Sequence, residues 1–251
     1  MSAPISPTKF DETLLRTLFD RIYVINLPER SDRRREMAVE LGRIGLGFDD
    51  PLVQIFPAVR PPDRGAFESI GARGCFLSHL GVLKDAVAKG YRSILILEDD
   101  VDWTPAALAR GARAEDLLAV DWAFLHGGQG NDRASAEGRV ALVALAPEQD
   151  FRLTHFIGLR GEIIGQLVSY LEAMLARPSG SPEGGPMHVD GAYSWFRRAH
   201  PEVAARVCVP SVARQRSSKS DIFQHTGWRA TRAADLARKL VRAVKALTRR
   251  G

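Results

Sequence analysis

The stretch Ser93-Ile94-Leu95-Ile96-Leu97-Glu98-Asp99-Asp100-Val101 limits the possible folds more than any other part of the chain. Four large aliphatic residues in succession read as a strand buried on both faces, the pattern of an interior strand in a parallel sheet. The run ends abruptly in three carboxylates. Side chains alternate along a strand, so Glu98 and Asp100 are expected on one face and Asp99 on the other. Open α/β sheets place their ligands beyond the carboxyl ends of the strands. Three adjacent carboxylates repel one another unless a cation or hydrogen-bond donors neutralise them. Hard oxygen ligands at such an edge suit Mg²⁺ or Mn²⁺ together with a phosphate. The blander alternative is an Asp-rich turn with no ligand.

The rest of the chain supplies the partners of such a strand. Asp11 to Asp20 has a short amphipathic helical pattern, and Arg21 to Leu27 reads as a strand ended by Pro28. Ser31 is a suitable cap for a helix from Asp32 to about Gly42. Leu52 to Phe56 is a second strand, and residues 60–73, rich in Arg, Pro, Gly and Asp, read as a loop. Cys75 to Lys89 is helical by its spacing of Phe76, Leu80, Leu83 and Val87. After the acidic strand, Thr104-Pro105 predicts a capped helix. Asp121–Leu125, Arg139–Leu145 and Phe151–Leu159 are further strands, the last of them antiparallel. Gly161–Ala176 is a helix, 177–186 a Gly/Pro loop, and Asp190 begins another helix. Val207–Val209 is a short strand, and 213–228 a polar loop. Strands alternating with helices predict an α/β domain, a mainly parallel central sheet flanked by helices. Neither a G-x-G-x-x-G fingerprint after the first strand nor a G-x-x-x-x-G-K-[ST] loop occurs, which argues against dinucleotide-binding and P-loop enzymes.

Charge divides the chain in two. The net charge is +5 over 251 residues, with a pI near 9.5. Residues 229–251 hold eight basic groups against Asp235 alone, a net of +7, which leaves residues 1–228 at −2. The body is therefore not basic, and nucleic-acid binding loses its support. Leu236, Leu240, Val244 and Leu247 form a stripe in a basic amphipathic helix over 229–251, suited to an anionic membrane surface or to packing on a partner. We expect a domain over 1–228 and this tail as a separate piece. Two cysteines, Cys75 and Cys208, are too few for a disulfide framework and are expected reduced. With neither an apolar leader nor an 18-residue apolar run, the expectation is a cytoplasmic protein, at most peripheral on the inner face of the membrane.

Several segments resemble one family in the same chain order. Val24-Ile25-Asn26-Leu27-Pro28-Glu29-Arg30-Ser31-Asp32-Arg33 is similar to the N-L-x-x-R-x-D-R opening of glycosyltransferase family 25, the lipopolysaccharide and lipooligosaccharide sugar transferases with their collagen galactosyltransferase relatives. Phe56-Pro57-Ala58-Val59 resembles the family's second-strand exit, Gly74-Cys75-Phe76-Leu77-Ser78-His79 its G-C-x-x-S-H helix, and Ile96 to Val101 its acidic strand end. Ile157 to Gly161, Val189-Asp190 and Ser217 to Ile222 sit where the family has a return strand, a P-x-D acid and a terminal S-x-I element. His188-Val189-Asp190 departs from the plainer Pro-x-Asp.

The resemblance implies a GT-A-like fold. It also implies inverting transfer of a hexose, galactose from UDP foremost, to a saccharide or lipid-linked glycan acceptor in cell-surface polysaccharide synthesis. Such a displacement needs a base for the acceptor hydroxyl and charge stabilisation on the departing diphosphate. Asp190 is the candidate base, against the bland reading of a helix cap. Asp100 and Glu98 are the candidate cation ligands, with His225 as an additional one ahead of His155 and His188. Asp99 is expected on ribose or a sugar hydroxyl, and Asn26 on uracil or in support of the turn. Arg30 and Arg33 are expected on phosphate. Ser78 and His79 are expected as sugar contacts or supports, and Gln215, Ser217, Ser220 and Asp221 in a late loop over the diphosphate. The alternative is a glycosyltransferase-like module that binds a nucleotide sugar or glycan without turnover.

Overall fold

A computed structural model of the chain describes residues 10–110, 117, 119–128 and 140–216. The tail over 229–251, and with it His225, Ser217, Ser220 and Asp221, lies outside the described residues.

Along the chain run α1 (Glu12–Leu18), β1 (Arg21–Asn26), α2 (Ser31–Arg43), β2 (Val53–Pro57), α3 (Ile70–Ala88), β3 (Ser93–Glu98), β4 (Val101–Trp103) and α4 (Pro105–Arg110). Then follow β5 (Phe124–His126), β6 (Ala141–Ala144), β7 (Phe156–Arg160), α5 (Ile163–Ala176), α6 (Val189–Ala199), β8 (Ala205–Val209) and β9 (Ala213–Gln215). The main sheet has seven strands in the order β2-β1-β3-β7-β5-β8-β6, and β4 pairs with β9 in a small second sheet. Strands β2, β1, β3, β5 and β8 run one way; β7 and β6 run against them. The antiparallel β7 lies between β3 and β5 and joins the two parallel groups.

β3 is the interior strand its aliphatic run predicts. Leu95 and Leu97 face a core with Ile22 and Val24 of β1, Met37 and Leu41 of α2, and the α1 leucines. Ile94 and Ile96 face the opposite core with Tyr23, Phe76, Leu80, Leu167, Leu171 and Phe196, under α3, α5 and α6. Each aliphatic side chain withdrawn from water there contributes about 1.5–3 kcal/mol. A β3 residue therefore has no solvent face, which is why its sequence does not alternate.

Most boundaries fall within a residue or two of the sequence expectation; β7 begins at Phe156, five residues later than expected, and three other differences have physical causes. The helix α3 starts at Ile70 inside the expected loop, because the Ser69 hydroxyl caps it by accepting from the Ala72 amide at 3.0 Å. Ser31 is the first residue of α2, not its cap, and Arg30 at the cap position makes no side-chain cap. Residues 213–215, expected in a loop, form β9 on β4 with Val101 opposite Gln215. Such a three-residue pair carries no periodic signal. Thr104 does cap α4 as expected, with its hydroxyl on the Ala107 amide.

Candidate active site

One edge of the main sheet collects the polar chemistry. The parallel strands β1, β3 and β5 end there in Asn26, Glu98 and His126, and β7 enters there just after Thr154 and His155. The Glu98 amide donates to the His155 carbonyl at 3.1 Å, which locks the start of β7 beside the acidic turn. All of these polar side chains except Glu98 are nearly inaccessible to solvent. Buried polar groups of this density are costly unless each is paired.

The three acids do not follow strand alternation. Regular β3 geometry stops at Glu98, and Asp99 and Asp100 occupy the following turn. Asp99 Oδ2 accepts from Asn26 Nδ2 at 2.7 Å, and Asp99 Oδ1 accepts from Arg33 at 2.8 Å. The same Arg33 nitrogen lies 3.8 Å from Asp100 Oδ2. Asp99 and Asp100 therefore share Arg33, while Glu98 turns elsewhere. The expected alternation does not reach Asp99 and Asp100, because β3 ends at Glu98 and a turn begins there; the Glu98 charge still acts on Asp100.

Glu98 belongs to a second set. Its Oε1 accepts from the Thr154 hydroxyl at 2.6 Å and lies 3.4 Å from His79 Nε2 and 3.9 Å from the Cys75 sulfur. His79 is fully buried, and its Nδ1 meets the Tyr193 hydroxyl at 3.0 Å. Cys75 and His79 are four residues apart on α3, so they share a helix face. Burial pushes the Glu98 carboxyl up, but the His79 and Thr154 hydrogen bonds outweigh it and hold it below its ordinary value. Burial, the Glu98 charge and then the Asp190 and Asp100 charges push the Cys75 thiol well up.

Asp100 is the least satisfied of the acids. Its Oδ2 accepts from Gln215 at 3.2 Å, and its carbonyl accepts from the Arg216 amide at 2.6 Å, so β9 closes over it. Its Oδ1 is buried without a hydrogen-bond partner among the described residues. Burial and the neighbouring Glu98 charge raise it to about 7, with Arg33 opposing. Burial likewise raises Asp99 despite Arg33 and Asn26.

The other candidates divide clearly. Asp190 is the second residue of α6; its Oδ1 accepts from the adjacent Gly191 amide, and His188 occupies the cap position, so the bland cap reading does not apply. Arg30 forks onto Asp32 at the protein surface, and Arg33 reaches Asp99 and Asp100. Ser78 is structural: its hydroxyl donates to the Gly74 carbonyl and accepts from the Val59 amide, tying the β2 exit to α3. His188 pairs with Glu68 at 3.0 Å on the surface, away from the acids. His155 is buried, and among the described residues neither ring nitrogen has a hydrogen bond of normal geometry, with a looser approach to the Ala213 backbone. Burial lowers its pKa, against the pull of Glu98.

Thr154, Tyr193 and Arg34 were not singled out from the sequence. Arg34 donates to Asn26 Oδ1 at 3.1 Å and fixes which way that amide faces. Its position in the run Arg33-Arg34-Arg35 gave a signal, but not one that separates the three. Thr154 lies in the segment 151–159 that reads as a strand, although the strand itself begins at Phe156, and Tyr193 lies in a core helix.

The family model for glycosyltransferase family 25 (LPS biosynthesis protein) matches residues 19–131, from just before β1 to just past β5. A human protein named inactive glycosyltransferase 25 family member 3 is 33% identical over 130 residues, 44% of this chain and 22% of its own length. Procollagen galactosyltransferase 1 of zebrafish is 31% identical over 99 residues, 33% of this chain and 17% of its own length. The matched stretch thus spans only about a fifth of each relative. A solved glycosyltransferase involved in glycosylation of the PBCV-1 major capsid aligns with a TM-score of 0.41 at 13% identity, covering 76% of this chain and 81% of that one. Asn26, Arg33, Cys75, His79 and the three acids lie inside the matched stretch; Thr154, Asp190, Tyr193 and Gln215 lie beyond it.

Proposed function

From the premise that residues 19–131 are a glycosyltransferase family 25 segment, we propose that the chain is an inverting glycosyltransferase. It moves a hexose, galactose foremost, from a UDP-sugar to a saccharide or lipid-linked glycan acceptor in cell-surface polysaccharide synthesis. The observation that carries this reading is Asp100: a buried carboxylate with one unpartnered oxygen, among like charges, at the edge where three parallel strands end. That donor set fits a hard divalent ion, Mn²⁺ or Mg²⁺, with Asp100 as the holding residue. Bound there, the ion would neutralise charge on the departing diphosphate. His225, outside the described residues, remains the proposed additional ligand.

The chain's own residues supply the rest. Asn26 and Arg33 hold the Asp99 carboxylate, and Gln215 holds Asp100 in place. Asp190 takes the proton of the acceptor hydroxyl as that oxygen bonds to the anomeric carbon; the bond from that carbon to the diphosphate breaks, and UDP carries away the electron pair. Arg33 is the cation placed to meet diphosphate oxygens. Residues 229–251 rest on an anionic membrane surface of the cytoplasmic face, near lipid-linked acceptors.

A second reading has a specific basis: several relatives carry the word inactive in their names, and a module that binds a sugar nucleotide without turnover would keep the same acids. The separating experiment is UDP-galactose hydrolysis and transfer with Mn²⁺, in wild type and Asp100→Ala. Turnover that falls at least about 100-fold in the variant supports the enzyme. Calorimetric binding without turnover on a broad acceptor panel supports the module, and no binding of any UDP-sugar refutes both. Deleting 229–251 is expected to leave hydrolysis intact and to remove co-sedimentation with anionic vesicles.

A further inference from the structure

The set around Glu98 has a chemistry of its own. Cys75 sulfur, His79 Nε2 and a Glu98 oxygen all lie within 4.8 Å of one another. A thiol, an imidazole and a carboxylate are not the ligands that Mg²⁺ or Mn²⁺ selects. They are the borderline-soft set typical of Zn²⁺ and its spectroscopic substitute Co²⁺. We propose that Cys75, His79 and Glu98 form a distinct site for a thiophilic divalent cation, separate from the hard-oxygen position at Asp100.

Three features support a built site over a chance cluster. Cys75 and His79 project from one face of α3, a rigid nineteen-residue helix, so their separation is fixed by the helix. Each of the other two ligands has an outer partner: Tyr193 contacts His79 Nδ1, and the Thr154 hydroxyl donates to Glu98 Oε1. With a cation bound, the imidazole proton would sit on Nδ1, donated to the Tyr193 oxygen, and the Nε2 lone pair would face the ion beside Glu98 and Cys75, the arrangement that orients metal-bound histidines. His79 is also wholly buried, and an imidazole facing a carboxylate and a thiol in that setting gains from a cation that all three can share. Three protein ligands leave a fourth, open position for water, as in three-ligand zinc sites. Uptake converts the Cys75 S–H to a metal thiolate and releases one proton to the buffer; the thiolate and the Glu98 carboxylate together then neutralise the divalent ion, and the site goes from a net charge of −1 to zero.

The site can be read without turnover, so its fate is independent of the sugar-transfer reading. Full-length protein, stripped with chelator, is titrated with Co²⁺ and followed by absorption. The expected result is a near-ultraviolet thiolate-to-cobalt charge-transfer band with visible bands of a four-coordinate ion. The near-ultraviolet band disappears in Cys75→Ser, persists in Cys208→Ser and in Asp100→Asn, and Tyr193→Phe weakens binding by about tenfold. Should Cys75→Ser fail to fold, X-ray absorption of zinc-loaded Cys208→Ser decides: a Zn–S shell near ~2.3 Å upholds the site, and oxygen and nitrogen neighbours alone overturn it. A wild-type titration without the charge-transfer band, or a band unchanged in Cys75→Ser, also overturns it.

Discussion

Asp100 shows how one side chain can be destabilising by itself and still be informative. Its folded pKa of about 7 lies above the ordinary carboxylate value of 3.8. Between those values the folded state holds a proton that the unfolded state has lost, so this group's contribution to stability declines as pH rises through that window. The shift sets a ceiling on the order of 4 kcal/mol. Asp100→Asn keeps an acceptor for Gln215 and removes the charge. In thermal melts with chelator, the variant should therefore gain on the wild type between about pH 4 and pH 7 and level off above that, by several degrees at the upper end. A gap that does not depend on pH would show that Asp100 is ionised at no cost. Asn26→Leu acts in the opposite direction: it removes the 2.7 Å donor to Asp99 and leaves a buried carboxylate less satisfied. A loss of about 1–3 kcal/mol is expected in denaturant titration.

At the scale of elements, the acids are held by joints between helices and short strands. Glu40 of α2 is nearly buried; its carboxylate accepts from the Trp103 amide at 2.9 Å, and its backbone carbonyl accepts from the Trp103 indole at 2.9 Å. That joint fixes α2, which carries Arg33, against β4, which follows Asp100 by one residue. Glu40→Ala should cost about 1–3 kcal/mol and also weaken UDP-sugar binding, whereas a surface change on α2 such as Val39→Ala should do neither. Arg197 performs a similar task on α6: its guanidinium donates to the carbonyls of Leu145, Ala146 and Gln149, and Ser194 Oγ accepts from the Phe151 amide. These bonds shape the segment leading to Thr154. Arg197→Met should destabilise by about 3 kcal/mol or more in denaturant unfolding, because three carbonyls lose a buried charged donor. Such joints also mark what the sequence makes legible. Four aliphatics in β3, the Thr104-Pro105 cap and the helical spacing of α3 are local signals, and the structure follows them. The split between Glu98 and its two neighbours is set by where β3 stops, and Thr154, Tyr193 and Gln215 join the site through pairings 56 to 115 residues distant in sequence. No window of residues carries that information.

For the whole molecule, β3 is the hub, flanked by β1 on one side and β7 on the other, with a hydrophobic core on each face. β6 lies at the far edge, with mostly exposed residues. Amide exchange should therefore be slowest in β1 and β3, where opening requires global unfolding, and fastest among the strands in β6, which can fray alone. Equal protection across the sheet would contradict this hierarchy. The placement of β7 has a consequence for biosynthesis. While the ribosome is still making the first 155 residues, the β3 side that later receives Phe156–Arg160 is an open, apolar strand rim that another nascent copy can occupy. Translation stalled or terminated before that point should yield inclusion bodies rather than a small folded fragment, and a holdase chaperone that shields the rim should matter most during that interval.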